Sequence, residues 1–150
     1  MREAHDFREE FTSIVSFEDS IKMATRNTDG TLKIWDIRKL HRPLVHERGL
    51  HNRFPGNKLC FSPNQKLLLV GTSVGQGIED KLSYLHFYDT TTLKKVKSLA
   101  IGESSISGVC WNPAINQIVV GMANGEAHIY FDERLSRMGA LKAVNKQPRL

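Results

Sequence analysis

The sequence predicts an all-β fold built from three copies of one antiparallel unit. Three observations carry that expectation. Short runs of Val, Ile, Leu and Thr recur between turn-forming residues. The pieces "TSIVSFEDSIKMATRNTDGTLKIWDI", "GNKLCFSPNQKLLLVGTSVGQGIEDKLSYLHFYDT" and "SISGVCWNPAINQIVVGMANGEAHIYFDE" align in register. Each piece also runs to an aromatic–Asp pair, namely Trp35-Asp36, Tyr88-Asp89 and Phe131-Asp132, at spacings of 53 and 43 residues.

In each copy a first strand closes on an aromatic: Phe17, Phe61 or Trp111. A turn follows, marked by Ser62-Pro63-Asn64 and Asn112-Pro113, where Pro presets φ and Asn accepts tight backbone. Second strands are expected over 21–26, 67–73 and 118–122. "KLLLVGTS" and "QIVVGM" are apolar on both faces, which suits a sheet sandwiched between neighbouring sheets. Asp29-Gly30 and Asn124-Gly125 are the dipeptides of two-residue hairpins, and they lead into third strands that end on the aromatic–Asp pairs. Fourth strands are weaker, at 44–46, 94–99 and 140–144, as a short, polar outermost edge would be.

Spacing and strand count together describe three four-stranded blades of a β-propeller, over roughly 11–46, 57–99 and 106–145, with 146–150 a basic end. Propellers close with about four to eight blades. Three blades leave open sheet faces, so the expectation is a piece of a longer propeller, or one that a partner must cover.

Composition sets the class. The chain has 150 residues, 40% hydrophobic and 25% charged, in the range of a folded globular domain. Its longest apolar run, Leu67 to Val70, is far too short to span a membrane, and the Met1-Arg2-Glu3 start has no apolar signal core. The net charge of +5 is concentrated at the end: Arg134, Arg137, Lys142, Lys146 and Arg149 lie in a stretch without acids, and the remaining 16 basic residues balance the 16 acidic ones. Such an end can meet nucleic acid or an acidic partner, although no aromatic is interleaved there for base stacking. Cys60 and Cys110 occupy matching contexts in different copies, and both are read as reduced core residues.

"MATRNTDGTLKIWD" resembles the second-to-third-strand signature of the WD-repeat family of β-propellers. The resemblance implies a buried hydrogen-bonded tetrad of Ser or Thr, Asp, Trp and His. Thr25, Asp29 and Trp35 fill three places, and His5 is the candidate fourth, three residues further upstream than the pattern prefers. In the other copies Tyr88 and Phe131 replace Trp and Asn124 replaces the turn Asp, so the tetrad is expected in the first alone. The resemblance covers most of residues 10–145 and implies a nuclear, chromatin-linked scaffold without catalysis or cofactor.

The same resemblance points to a binding site. WD-repeat substrate receptors of cullin-4 ubiquitin ligases carry a W-D-x-R ending with an Asp seven residues before its Asp. Asp29, Asp36 and Arg38 stand in those places. Arg38 leaves the strand at the rim, where its planar fork can reach the carbonyls or carboxylates of an adaptor. The alternative is a scaffold that binds nucleic acid through Arg134, Arg137 and Lys142.

No other constellation supports chemistry. The Gly71–Lys81 loop has Gly71, Gly75 and Gly77 but no Gly-Lys-Ser/Thr opening a helix, so it is not a phosphate cradle. His41, His46 and His51 are spaced by five among Pro and Gly breaks, with no Cys or acidic cluster at metal-ligand spacing. "GESSISG" lacks the spacing of a nucleophile elbow. No metal, small-molecule substrate or membrane contact is expected.

Overall fold

A computed structural model describes residues 4–6, 8–75 and 81–144, the side chains of 143 and 144 excepted. Gly77, Lys146, Arg149 and the 146–150 end lie outside the described residues. Three antiparallel sheets follow one another along the chain. The first holds β1 (Phe11–Ser16), β2 (Lys22–Asn27), β3 (Leu32–Asp36) and β4 (Val45–Glu47). The second holds β5 (Cys60–Phe61), β6 (Leu67–Gly71), β7 (Ser83–Asp89) and β8 (Lys95–Gly102). The third holds β9 (Ile106–Asn112), β10 (Gln117–Met122) and β11 (Ala127–Phe131).

The turns work through short polar side chains. Asp19 Oδ1 accepts the Ile21 and Lys22 N–H groups, both at 2.9 Å, and so reverses the chain between β1 and β2. Asn64 does the same for Lys66 at 3.1 Å in the Pro63 turn. Gly30 and Gly125 take φ of 75° and 90°, the left-handed backbone a tight hairpin requires.

The core lies in two seams. Phe17, Ala24, Leu32 and Ile34 of the first sheet pack against Leu68, Val70 and Tyr88 of the second. Leu69, Leu85 and Phe87, on the opposite face of the second sheet, pack against Ile106, Ile118, Val120 and Met122 of the third. Leu68 and Val70 therefore serve one seam and Leu69 the other, which explains why this strand is apolar on both faces.

Two expectations are corrected. Residues 140–144 form a helix, α1 (Ala140–Val144), not a fourth strand, so among the described residues the third sheet ends at β11. Ala, Leu and Lys favour helix, and Gly139 at φ 57° breaks the strand direction before it. The Ala140 N–H is then anchored by Gln117 Oε1 at 3.1 Å. Cys110 is exposed rather than core, while Cys60 is half-buried. Its neighbours Val109 and Trp111 pack into the seam with the second sheet, so alternation turns Cys110 to the uncovered face.

Candidate interaction surface

The first sheet carries a closed polar cluster. Trp35, at the end of β3, donates Nε1–H to Thr25 Oγ1 on β2 at 2.8 Å. Thr25 Oγ1 also lies 2.8 Å from His5 Nε2. His5 Nδ1 is 3.2 Å from Asp29 Oδ2 and 2.7 Å from Thr31 Oγ1, and the Thr31 hydroxyl donates to Asp29 Oδ1 at 2.6 Å. A neutral His5 with its proton on Nδ1 satisfies every member: Thr25 accepts from Trp35 and donates to Nε2. Burial lowers the His5 pKa, in keeping with that neutral form. Burial pushes the Asp29 carboxyl up, but hydrogen bonds from Thr31 and the nearby His5 outweigh it and leave the group below its ordinary value.

Thr25, Asp29 and Trp35 are thus brought together around His5. The segment holding His5 is pinned by Lys33, whose Nζ donates to the Ala4 carbonyl at 2.5 Å. Sequence spacing missed Thr31; its signal was a hydroxyl two residues after the turn Asp, where it can cap the Asp29 carboxylate. In the second sheet the Tyr88 hydroxyl, at the position of Trp35, has no hydrogen-bond partner among the described residues.

Arg38 sits just beyond β3, its side chain 64% exposed. Its Nε and Nη2 donate to the two oxygens of Asp36 at 2.9 and 2.7 Å, and its backbone N–H also donates to Asp36 Oδ1 at 2.9 Å. Hydrogen bonds from the Arg38 side chain and backbone hold the Asp36 carboxyl down to about 2. Asp29 is in the tetrad, away from this pair, so the three expected contact residues split between a half-buried turn and a half-buried Asp36 that holds the exposed Arg38 fork. Arg134 and Arg137 are exposed on the loop after β11, and Lys142 is exposed on α1. His41, His46 and His51 are exposed, and among the described residues no group of three His, Cys, Asp or Glu side chains is gathered for a metal.

Sequential antiparallel sheets packed face to face, with a Thr–His–Asp–Trp cluster locking the first, define the class: the chain belongs to the WD-repeat family of β-propellers, whose members serve as protein-interaction scaffolds. No protein-family model matches the sequence. It is similar to WD repeat-containing protein 70 of Xenopus laevis, 45% identical over 139 residues, covering 92% of this chain and 22% of that protein. Against the Bos taurus protein of the same name it is 40% identical over 149 residues, covering 99% and 22%. Against Gastrulation defective protein 1 homolog of Drosophila melanogaster it is 34% identical over 149 residues, again covering 99% and 22%. The chain therefore spans about a fifth of the length of these curated relatives. A crystal structure of a mitotic checkpoint complex holds a chain with a TM-score of 0.63 at 20% identity, covering 80% of this chain and 36% of that one. U3-55K gives 0.62 at 12% identity, covering 90% and 40%. Both likenesses speak to fold.

Proposed function

We propose that this chain is the adaptor-binding part of a non-catalytic WD-repeat scaffold, a nuclear substrate-receptor subunit of a cullin-4 ubiquitin ligase acting in a DNA-damage or chromatin setting. The observation that carries it is the exposed Arg38 fork clamped on Asp36 beside Trp35. Asp36 fixes the guanidinium in one orientation, and the edge bearing Nη1 is left for a carbonyl or carboxylate of the adaptor. Asp29 acts indirectly, by holding the turn through Thr31 and His5.

Affinity capture from cells tests it. The full-length protein carrying Arg38→Ala should lose adaptor co-purification while its melting temperature stays at the wild-type value. Equal adaptor capture by wild type and Arg38→Ala overturns the receptor reading and leaves a scaffold of other partners. A second reading, association with nucleic acid, is favoured by the exposure of Arg134, Arg137 and Lys142. Its mark is binding that falls steeply with salt and survives Arg38→Ala.

A further inference from the structure

Each of the first two sheets ends on a fourth strand, whereas among the described residues the third ends on its own third strand, β11. The hairpin fixes which backbone groups that edge presents. The Met122 N–H donates to the Glu126 carbonyl at 2.9 Å, so 122 and 126 are a bonded pair. Alternation along the ladder then makes Val120–His128 and Ile118–Tyr130 the bonded pairs with β10. The N–H and C=O groups of Ala127, Ile129 and Phe131 therefore turn to the free edge. Among the described residues no backbone group pairs with them there. α1 starts at Gln117, on the open face, and makes no backbone hydrogen bond to this strand.

The other two outer edges are protected. β4 is short and follows Pro43, and β8 carries Lys95 and Lys97 at exposed positions. β11 has neither device: its residues Ala127, His128, Ile129, Tyr130 and Phe131 include no Pro, Lys, Arg, Asp or Glu.

The strand also complements its own reversal. An antiparallel two-fold pairing centred on Ile129 sets Ile129 against Ile129, Ala127 against Phe131 and His128 against Tyr130. Ala127, Ile129 and Phe131 share the open face with Gly121, Val119 and Gln117. There the small Ala127 leaves room for the Phe131 ring, and Ile129, 49% exposed in one chain, is covered by its counterpart. On the seam face His128 Nδ1 already lies 3.4 Å from the Tyr130 hydroxyl within one chain, and the two types meet again across the axis. Glu126 would next oppose Asp132, which ends the ladder. Each of these carboxylates is engaged at home, Glu126 by His128 and Asp132 by the N–H groups of its own turn.

We propose that β11 is a self-association edge, to which a second copy of this chain adds its own β11, antiparallel and in register about Ile129. Two open sheets become one continuous sheet across the two-fold axis. So short a ladder is a small interface, and the dimer depends on concentration. The site is separate from Arg38, which follows the first sheet, and does not rest on the adaptor reading.

Sedimentation velocity of the 150-residue protein over a concentration series should show a monomer passing to a dimer. Ile129→Lys sets two ammonium groups opposite one another, and Ile129→Pro removes an edge N–H that β10 does not use. Each should raise the dimer dissociation constant at least about tenfold, as loss of a central contact does. Ile129 is exposed, so an unchanged melting temperature is the folding control, and Ile129→Lys carries the test if the Pro variant fails to fold. Register is read by cross-linking in a Cys110→Ser background under a mild oxidant such as diamide. Ile129→Cys should link two copies, because bonded partners lie at disulfide distance; Ala127→Cys, which faces Phe131, should not. A monomer at every concentration overturns the proposal, as follows if a segment of the same chain holds this edge. So does a dimer that both Ile129 variants preserve, or equal cross-linking through positions 127 and 129.

Discussion

Arg26 on β2 donates its Nη1 to the carbonyl of Asn57 at 3.1 Å, across the seam between the first and second sheets. Its Nη2 reaches the carbonyl of Gly71 on β6. The Asn57 side chain continues the line, its Nδ2 donating to the carbonyls of Gly71 at 3.0 Å and Ile106 at 3.1 Å. One polar chain thus ties all three sheets together. Arg26 is completely buried, and burial pulls its pKa down to about 10, so it stays charged at neutral pH. Carbonyl oxygens, rather than a carboxylate, compensate the buried charge.

Arg26→Lys keeps the charge but not the fork. One ammonium cannot reproduce the two-pronged contact, and the Asn57 carbonyl is left short of a donor. The variant should lose about 2–4 kcal/mol of unfolding free energy, the range for an unsatisfied buried polar group plus its charge. Urea denaturation reads this as a lowered midpoint; a wild-type midpoint would refute it.

Gly71→Ala attacks the same junction by sterics. A Cβ at Gly71 would lie 2.8 Å from Ile106 Cγ2 and 3.0 Å from both Asn57 Oδ1 and Val109 Cγ2. The third sheet must then move away from β6. Overpacking of this kind costs about 1–3 kcal/mol. Thermal melting followed by circular dichroism should show the drop, together with faster hydrogen exchange at Ile106.

Thr25→Val is close to isosteric and removes the hydroxyl that both Trp35 and His5 use. Two buried polar groups lose their partner at once, for an expected loss of about 2–4 kcal/mol. Trp35 fluorescence should also shift, because the indole N–H is left unpaired. An unchanged denaturation midpoint would mean the cluster adds nothing to stability.

Acid should weaken the fold in two stages. Burial, with the positive charges of Lys95 and Arg26, pulls the His86 pKa down to about 4, and burial also lowers that of His5. Both histidines take up protons more readily in the unfolded chain, whose groups titrate near their usual value of about 6.5. The His86 contribution is complete above that pH and is lost as pH falls toward 4, and that of His5 changes in the same direction. The lowered carboxyl pKa values of Asp19 and Asp36, each about 2, place their loss below that of the histidines. Melting temperatures at pH 7.5, 6 and 5 should fall in that order, and His86→Gln should flatten the series. A flat wild-type series would contradict the assignment.

Much of the strand order was legible because each strand is bounded by local chemistry. The Asp19, Asn64 and Asn124 side chains cap their own turns, and these are contacts of two or three residues. Residues 140–144 were misread as a strand because their apolar spacing is short enough to fit either period, and what settled the outcome was Gln117 catching the Ala140 N–H from 23 residues away. Cys110 was misread because its context copies that of Cys60. A repeat pattern shows which face a side chain takes, but not whether a neighbouring sheet covers that face.

The sequence by itself determined the repeated antiparallel unit and the turn positions, since both rest on short-range spacing and on side chains that answer their own backbone; the Thr25–Asp29–Trp35 cluster followed from the resemblance of that stretch to the WD-repeat signature. The tertiary structure alone decided the rest. His5 enters the cluster only because the segment before β1 folds back onto Thr25 and Asp29. The Arg38 guanidinium turns onto Asp36, and Arg26 becomes a buried tie between sheets although its sequence looks like that of any exposed cation. These are packing outcomes: burial and pairing depend on which sheet lies across the gap, and that information is distributed over residues tens of positions apart.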